Sequence, residues 1–334
     1  MRRSLALLTA LALLTAGAGC ASRGDAAAGA EQRVLRYQGA VGTVTLPELA
    51  ADLGYLDDVS LKWIGNTTSG PQDIQAATTG DVEFGGAFNG AIVKLKAAKA
   101  PIQAVIGYYG VNEQVYGGYY VLDGSPVKSA RDLIGKKIGM NTLGAHYEAV
   151  LKTYLVRNGL SDEEIKKVEP VVVPPVSTEQ ALRSGQIDVA VLSGTLRDKA
   201  LEKGGIHPLF TDFELLGAFT AGSYVFRTEF LKKNPTTVRT FVTGVAKAIE
   251  WTRTTPREQV IAKYAEILKK RARNEDDSQL KFWKSTGVAG AGGLISDQEF
   301  STWVDWLDRS GELKNGKPAL KDVFTNQYNG YKAA

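Results

Sequence analysis

From Val34 onward, short β-branched and aromatic runs alternate with longer stretches whose apolar residues recur at helical spacing. VLRYQ (34–38), VSLKWI (59–64), VEFGG (82–86) and IQAVIGYY (102–109) predict strands. Between them, LPELAADLGYL (46–56), with Pro47 in its first turn, PQDIQAATTG (71–80) and NGAIVKLKAAKA (89–100) predict helices. The alternation then repeats. GGYYVL (117–122), IGMN (138–141), VEPVVVPP (168–175) and VAVLSG (189–194) predict strands; 144–160, 177–188 with Ser177 as N-cap, and 195–204 predict helices. SYVFR (223–227) returns as a strand, and 228–235, 235–256, 257–272, 277–286 and 296–311 read as helices. Strand–helix–strand order with short connections predicts an α/β chain with parallel, doubly wound sheets. Two such units are expected, one over 33–122 plus 219–334 and the other over 123–218. The chain crosses between them near 122 and again near 220.

The first twenty residues do not fit this alternation. Arg2 and Arg3 precede an apolar run from Leu5 to Ala16, and Gly17-Ala18-Gly19-Cys20 closes it with small residues. Such a run is shorter than the roughly 20 residues a membrane span needs, so 1–20 reads as an export signal. Cys20 is the only cysteine. It cannot pair within the chain, and its place resembles a bacterial lipobox, with Gly17 departing from the usual Leu-like residue. The expectation is a lipid anchor on Cys20, with ASRGDAAAGAEQ (21–32) as a flexible tether. With Arg2 and Arg3 removed, the 40 basic residues become 38 against 36 acidic ones. So even a balance gives no case for nucleic acid.

Four ordered segments resemble a known family. LPELAADLGYLDDVSLKWI is similar to its opening helix, turn and second strand, and IQAATTGDVEFGGAFNGAIVKLKAAKAPIQAVIGYY to the unit that follows. VKSARDLIGKKIGMNTLGAHYEAVLKTYLVRNGL and EQALRSGQIDVAVLSG resemble the second lobe. The family is that of ABC-importer solute-binding proteins for nitrate, aliphatic sulfonates and taurine, which also holds thiamine-precursor binders. The resemblance implies a two-lobed, type II periplasmic-binding-protein-like fold with crossover hinge strands. It further implies a monomer on the extracytoplasmic face of the membrane, delivering a small organic anion to a permease and ATPase. A thiamine precursor or other heteroaromatic solute, or a sensor without a transporter, are the alternatives. Ser193-Gly194-Thr195 stands where many members carry an acid-Pro pair.

A small oxyanion needs hydrogen-bond donors, and helix N-termini supply them with favourable polarity. Five strand-to-helix loops carry Ser, Thr, Asn or Gly: 38–43, 66–70, 87–89, 141–145 and 193–195. In open α/β sheets such loops line the ligand crevice. The candidate contacts are therefore Gln38, Thr43, Thr68, Ser69, Asn89, Thr142, Gly144, Ala145, Ser193 and Thr195. His146 matches by position a histidine common in the family and is expected to be a neutral donor or packing residue. Tyrosines cluster before the first crossing. Tyr119 and Tyr120 alternate in direction, so at most one faces a cleft, and Tyr119 is the candidate for an aromatic wall. Catalytic and nucleotide-binding motifs are missing, and two separated histidines with one cysteine offer no metal cluster. No enzyme activity, cofactor or metal is expected.

Overall fold

The computed structural model describes residues 30–332. Cys20, the 1–20 leader and the tether up to residue 29 lie outside the described residues. The first lobe begins with β1 (Val34–Gly39), α1 (Leu46–Asp52), β2 (Ser60–Asn66), α2 (Gly70–Thr79), β3 (Phe84–Phe88), α3 (Asn89–Ala97) and β4 (Ile102–Val111). The second holds β5 (Gly117–Leu122), β6 (Lys137–Met140), α4 (His146–Arg157), α5 (Asp162–Ile165), β7 (Glu169–Val172), α6 (Pro175–Arg183), β8 (Val189–Ser193), α7 (Gly194–Glu202), β9 (Ile206–Thr211) and α8 (Asp212–Leu216). The chain then returns through β10 (Phe219–Arg227) to α9 (Thr228–Lys233), α10 (Pro235–Thr254), α11 (Arg257–Arg271), α12 (Gln298–Arg309) and α13 (Leu320–Val323).

In the second lobe the strand order is β7-β6-β8-β5-β9. Here β6 runs parallel to β7 and β8, while β5 is antiparallel to β8 and β9. The first lobe has a parallel β1-β2 pair and a β3-β10-β4 sheet in which β10 is antiparallel to both neighbours. Each lobe thus contains one reversed strand, and it is the strand that enters from the other lobe. The expected crossing near 122 lies too late. Gly117–Leu122 pairs with β8 and β9, so the crossing is the segment between Val111 and Gly117. Arg197, 2% exposed, fixes that strap. It donates to the carbonyls of Gln114 and Tyr116 at 3.1 and 3.0 Å and lies 3.9 Å over the Tyr116 ring.

Each lobe has its own aromatic core, and Ala149 of α4 packs into a second apolar cluster of the first lobe. Phe84, Phe226 and Phe241 meet in the first, with Phe84 and Phe241 ring centroids 4.5 Å apart. α10 contributes Val238, Phe241, Val242, Val245 and Ile249, an apolar stripe at helical spacing. In the second lobe Phe210 stacks between Tyr119 and Tyr154 at 4.0 and 3.7 Å. Glu31 and Gln32, expected in the tether, are docked. Glu31 accepts from the Thr236 and Thr237 N–H groups at 3.1 and 2.7 Å, and Gln32 donates to Asn234. A carboxylate at the start of α10 is favoured by the helix dipole.

Two local expectations differ. Ser177 is not an N-cap, because α6 begins at Pro175 after Pro174, whose fixed φ suits a first turn. Only Leu280–Phe282 of the expected 277–286 helix forms a short 3-10 turn, and the rest is turn or irregular. By contrast, α1 starts with a capping box. Glu48 N–H donates to Thr45 Oγ1 at 3.4 Å, and the Thr45 N–H donates to the Glu48 carboxylate at 2.9 Å. Thr45→Ala is expected to cost ~1 kcal/mol, read as a lower denaturation midpoint at unchanged slope.

Candidate functional site

The two lobes face each other across a cavity of about 690 Å³. Its walls are the end of β1 and the loop after it (38–45), the β2–α2 junction (67–70), the end of β4, the crossing strap and the starts of α4, α6 and α7. Residues 279–286 close it from the C-terminal half, a contribution the sequence reading missed. Close backbone approach brings that segment in. The Gly110 N–H donates to Thr286 O at 3.0 Å, and a Cβ on Gly110 would sit 2.1 Å from Gly287 O.

Of the expected contacts, Gln38, Thr43, Thr68, Ser69, His146, Ser193 and Thr195 line the cavity. Asn89 does not. It is fully buried, donates to Thr220 O and Glu299 O at 3.2 and 3.3 Å, and accepts from Ser223 Oγ at 2.8 Å. These bonds tie α3 to β10 and leave nothing for a ligand. Tyr119 is also excluded, because its hydroxyl donates to Tyr147 O and its ring stacks inside the lobe core. Thr142, Gly144 and Ala145 sit beside the cavity without lining it. Thr142 instead accepts from Ser69 Oγ at 3.3 Å across the lobes, and Gly144 N–H donates to Glu148 at 2.6 Å.

Capping boxes close the starts of α1, α5 and α8, and Thr45 and Leu46 of α1 and Asp212 of α8 are in the cavity wall. Three helices that start on the cavity with a residue bearing an N–H have no side-chain cap, α2 after Ser69, α4 after Ala145 and α7 after Ser193; α6 also starts there uncapped, but on Pro175, which has no N–H. The first residues of α2, α4 and α7 include Gly70, His146, Tyr147, Gly194, Thr195 and Leu196, all in the cavity wall. First-turn N–H groups have no acceptor within their own helix, and their partial positive charge adds. One lobe supplies α2 and the other α4 and α7.

Phenols add further donors. Tyr108, Tyr109, Tyr224 and Tyr264 line the cavity, and their hydroxyls find no partner among the described residues. Burial holds the Tyr108, Tyr109 and Tyr224 hydroxyls well above the usual phenol range, so they stay protonated. Among the described residues, Lys284 is the one cation in the wall, and Asp198 lies 2.9 Å from it. Buried side-chain atoms without a partner also gather here: Gln38 Oε1, Asp73 Oδ1, His146 Nε2 and Asp212 Oδ2. His146 Nε2 and Asp212 Oδ2 are 3.2 Å apart but not aligned for a hydrogen bond. Asp212 spends its other oxygen on the Gly117 N–H at 2.9 Å, at the start of β5. Asp73 accepts from Gly86 N–H at 2.7 Å through one oxygen only, and burial pushes its carboxyl up to about 7. Unsatisfied buried polar groups concentrated in one place mark where a bound molecule would complete the hydrogen bonding.

A Brucella abortus (strain 2308) protein provisionally named a binding protein is 27% identical over 272 residues, 78% of this chain and 79% of that one. The alkanesulfonate-binding protein SsuA from Xanthomonas axonopodis pv. citri, solved bound to MOPS, superposes with a TM-score of 0.68 at 19% identity, covering 89% of this chain and 100% of that one. The periplasmic nitrate-binding protein NrtA from Synechocystis PCC 6803 gives 0.65 at 12% identity, with 89% and 87% covered. The desulfurization enzyme DszB gives 0.59 at 16% identity, with 89% and 97% covered. At these identities the likeness establishes the fold: the two-lobed architecture of periplasmic binding proteins. The NMT1/THI5-like family model matches residues 48–259, and the chain belongs to that family.

Proposed function

We propose that the protein is the solute-binding component of an ABC importer and that it captures an organic anion between its lobes. One observation carries this reading: three uncapped helix N-termini, from both lobes, meet at one cavity whose phenols are unpartnered. Such a site offers many donors and little countercharge, which suits a monoanion. Four charge-assisted hydrogen bonds give ~6–12 kcal/mol gross. Ordering and lost freedom remove several kcal/mol, and micromolar binding needs ~8 kcal/mol. Hydrogen bonds alone therefore fall near the threshold. Burying ~150 Å² of apolar ligand surface adds ~4 kcal/mol and carries binding past it.

Fold likeness to both binding proteins and DszB leaves the chemistry to the site. His146 Nε2 faces Asp212 rather than a hydroxyl or thiol. That arrangement supports binding without turnover. Cys20 would carry the lipid that holds the protein outside the membrane, within reach of its permease, and the docked Glu31 marks where the folded body begins.

Ser193→Asp tests the anion reading. Aspartate is as good an N-cap as serine, so α7 and the melting temperature should be kept. Its charge would stand at the donor cluster, and affinity for organic sulfonates, read by isothermal titration, should fall at least thirtyfold. Unchanged affinity would remove the α7 terminus from the site.

A further inference from the structure

We propose that the captured anion is an aromatic organic acid of about bicyclic size, its ring system gripped by Tyr108, Tyr109, Tyr147 and Trp283; this rests on the anion reading above. Volume comes first. A water molecule's share of the liquid is about 30 Å³, so a four-atom oxyanion in a cavity of about 690 Å³ would leave space on the order of twenty waters. A two-carbon aminosulfonate fills little more. Cavities of roughly 300–1,000 Å³ enclose drug-sized molecules and bury most of their surface.

The walls have the matching chemistry. Tyr108 stacks on Tyr224 at 4.2 Å and meets Tyr109 edge-on at 4.9 Å. Tyr147 lies against His146 at 4.9 Å from the opposite lobe. Trp283 is braced edge-to-face on Tyr264 at 5.5 Å. Tyr108 lies directly over Gly86, where a Cβ would come within 2.8 Å of its ring. The rings are therefore held by packing before any ligand arrives, and flat apolar faces stack on aromatic ligands better than on flexible alkyl chains. The acid group would take the helix N-termini, and the rings would take the rest.

The test is isothermal titration of the native protein with sodium nitrate, taurine, 1-butanesulfonate, 2-naphthalenesulfonate and 2-naphthoate. Expected is that at least one naphthalene acid binds tenfold or more tighter than 1-butanesulfonate. The two naphthalene probes separate sulfonate from carboxylate. Equal or tighter binding of 1-butanesulfonate, taurine or nitrate would overturn this inference and leave the anion reading standing. If none of the five binds at millimolar concentration, both fail. Tyr108→Phe, which loses the hydroxyl but keeps the ring, should keep the ratio of naphthalene-acid to 1-butanesulfonate affinity, and Tyr108→Ala should lower that ratio tenfold. A preference unchanged in both variants would overturn the assignment of the ring wall.

Discussion

Arg271→Ala is expected to destabilise the protein by ~3–5 kcal/mol and to abolish ligand binding. The guanidinium stands between two buried carboxylates. It donates to Glu48 at 2.9 and 3.0 Å and to Glu275 at 2.6 and 2.7 Å, and the three side chains are 8%, 7% and 3% exposed. Removing it leaves Glu275 with only the Gly42 N–H, while Glu48 keeps Arg273 at 3.2 Å and the Tyr37 hydroxyl at 2.6 Å. Burial alone would raise the Glu275 carboxyl; its hydrogen bonds to Arg271 and Gly42 N–H override burial and hold it below the usual range. Stability from Glu275 is thus present above its unfolded pKa and lost as pH falls through its lower folded value. The same arginine reaches Thr43 O and Ala40 O, and Glu275 accepts from Gly42 N–H at 2.8 Å. The cleft loop over 40–45 is therefore clamped to the end of α11. Adding Glu275→Gln to Arg271→Met should recover part of the loss, because it neutralises the carboxylate left with only the Gly42 N–H, while Glu48 keeps Arg273. Denaturant titration decides it; a loss below 1 kcal/mol for Arg271→Ala would show the carboxylates to be solvated.

Asp73→Asn should act in the opposite direction and raise stability at pH 8 by ~2–4 kcal/mol. Burial, opposed by the Gly86 N–H bond, pushes this carboxyl from 3.8 to about 7. The folded protein then binds more protons than the unfolded chain between pH 4 and 7. Stability falls as pH rises through that window, and the full cost is present above it. Asparagine removes the charge and keeps an oxygen for Gly86. Stability curves of the two proteins should coincide near pH 4 and separate toward pH 8; parallel curves would remove Asp73 as the cause. Binding gives a second reading. An anion beside Asp73, with Tyr108 and Tyr224 on its other side, favours the protonated carboxyl. Wild-type affinity for an organic acid should fall as pH rises past 7, and the Asp73→Asn protein should show no such slope. An amine ligand would reverse the sign.

Much of the site is legible along the chain because uncapped small and hydroxylated residues follow strands. Ser69, Ser193 and Thr195 could be placed at the cavity from that pattern. Asn89 belongs to the same pattern and fails, since its partners Thr220, Ser223 and Glu299 are more than a hundred residues away and invisible locally. Asp73 escaped notice for the converse reason. An acid in a first helical turn looks like a solvated dipole partner, and only the packing of β3 against it reveals the burial. Trp283 and Gln279 were read as part of a helix, where aromatic and polar residues alternate as they would on an amphipathic face. The crossing near residue 122 was misplaced because GGYYVL has the same β character on either side of the strap.

Period and capping are local properties of the backbone, so the sequence by itself determined most of the strands and helices, their order and the loops rich in donors. Which of those loops face one another was decided only in three dimensions. Contacts such as Glu48 with Arg271, separated by 223 residues, bring the end of α11 against the loop after β1 and close the cavity. No periodicity encodes that approach, because it depends on how the two lobes are strapped together rather than on the preferences of any one segment.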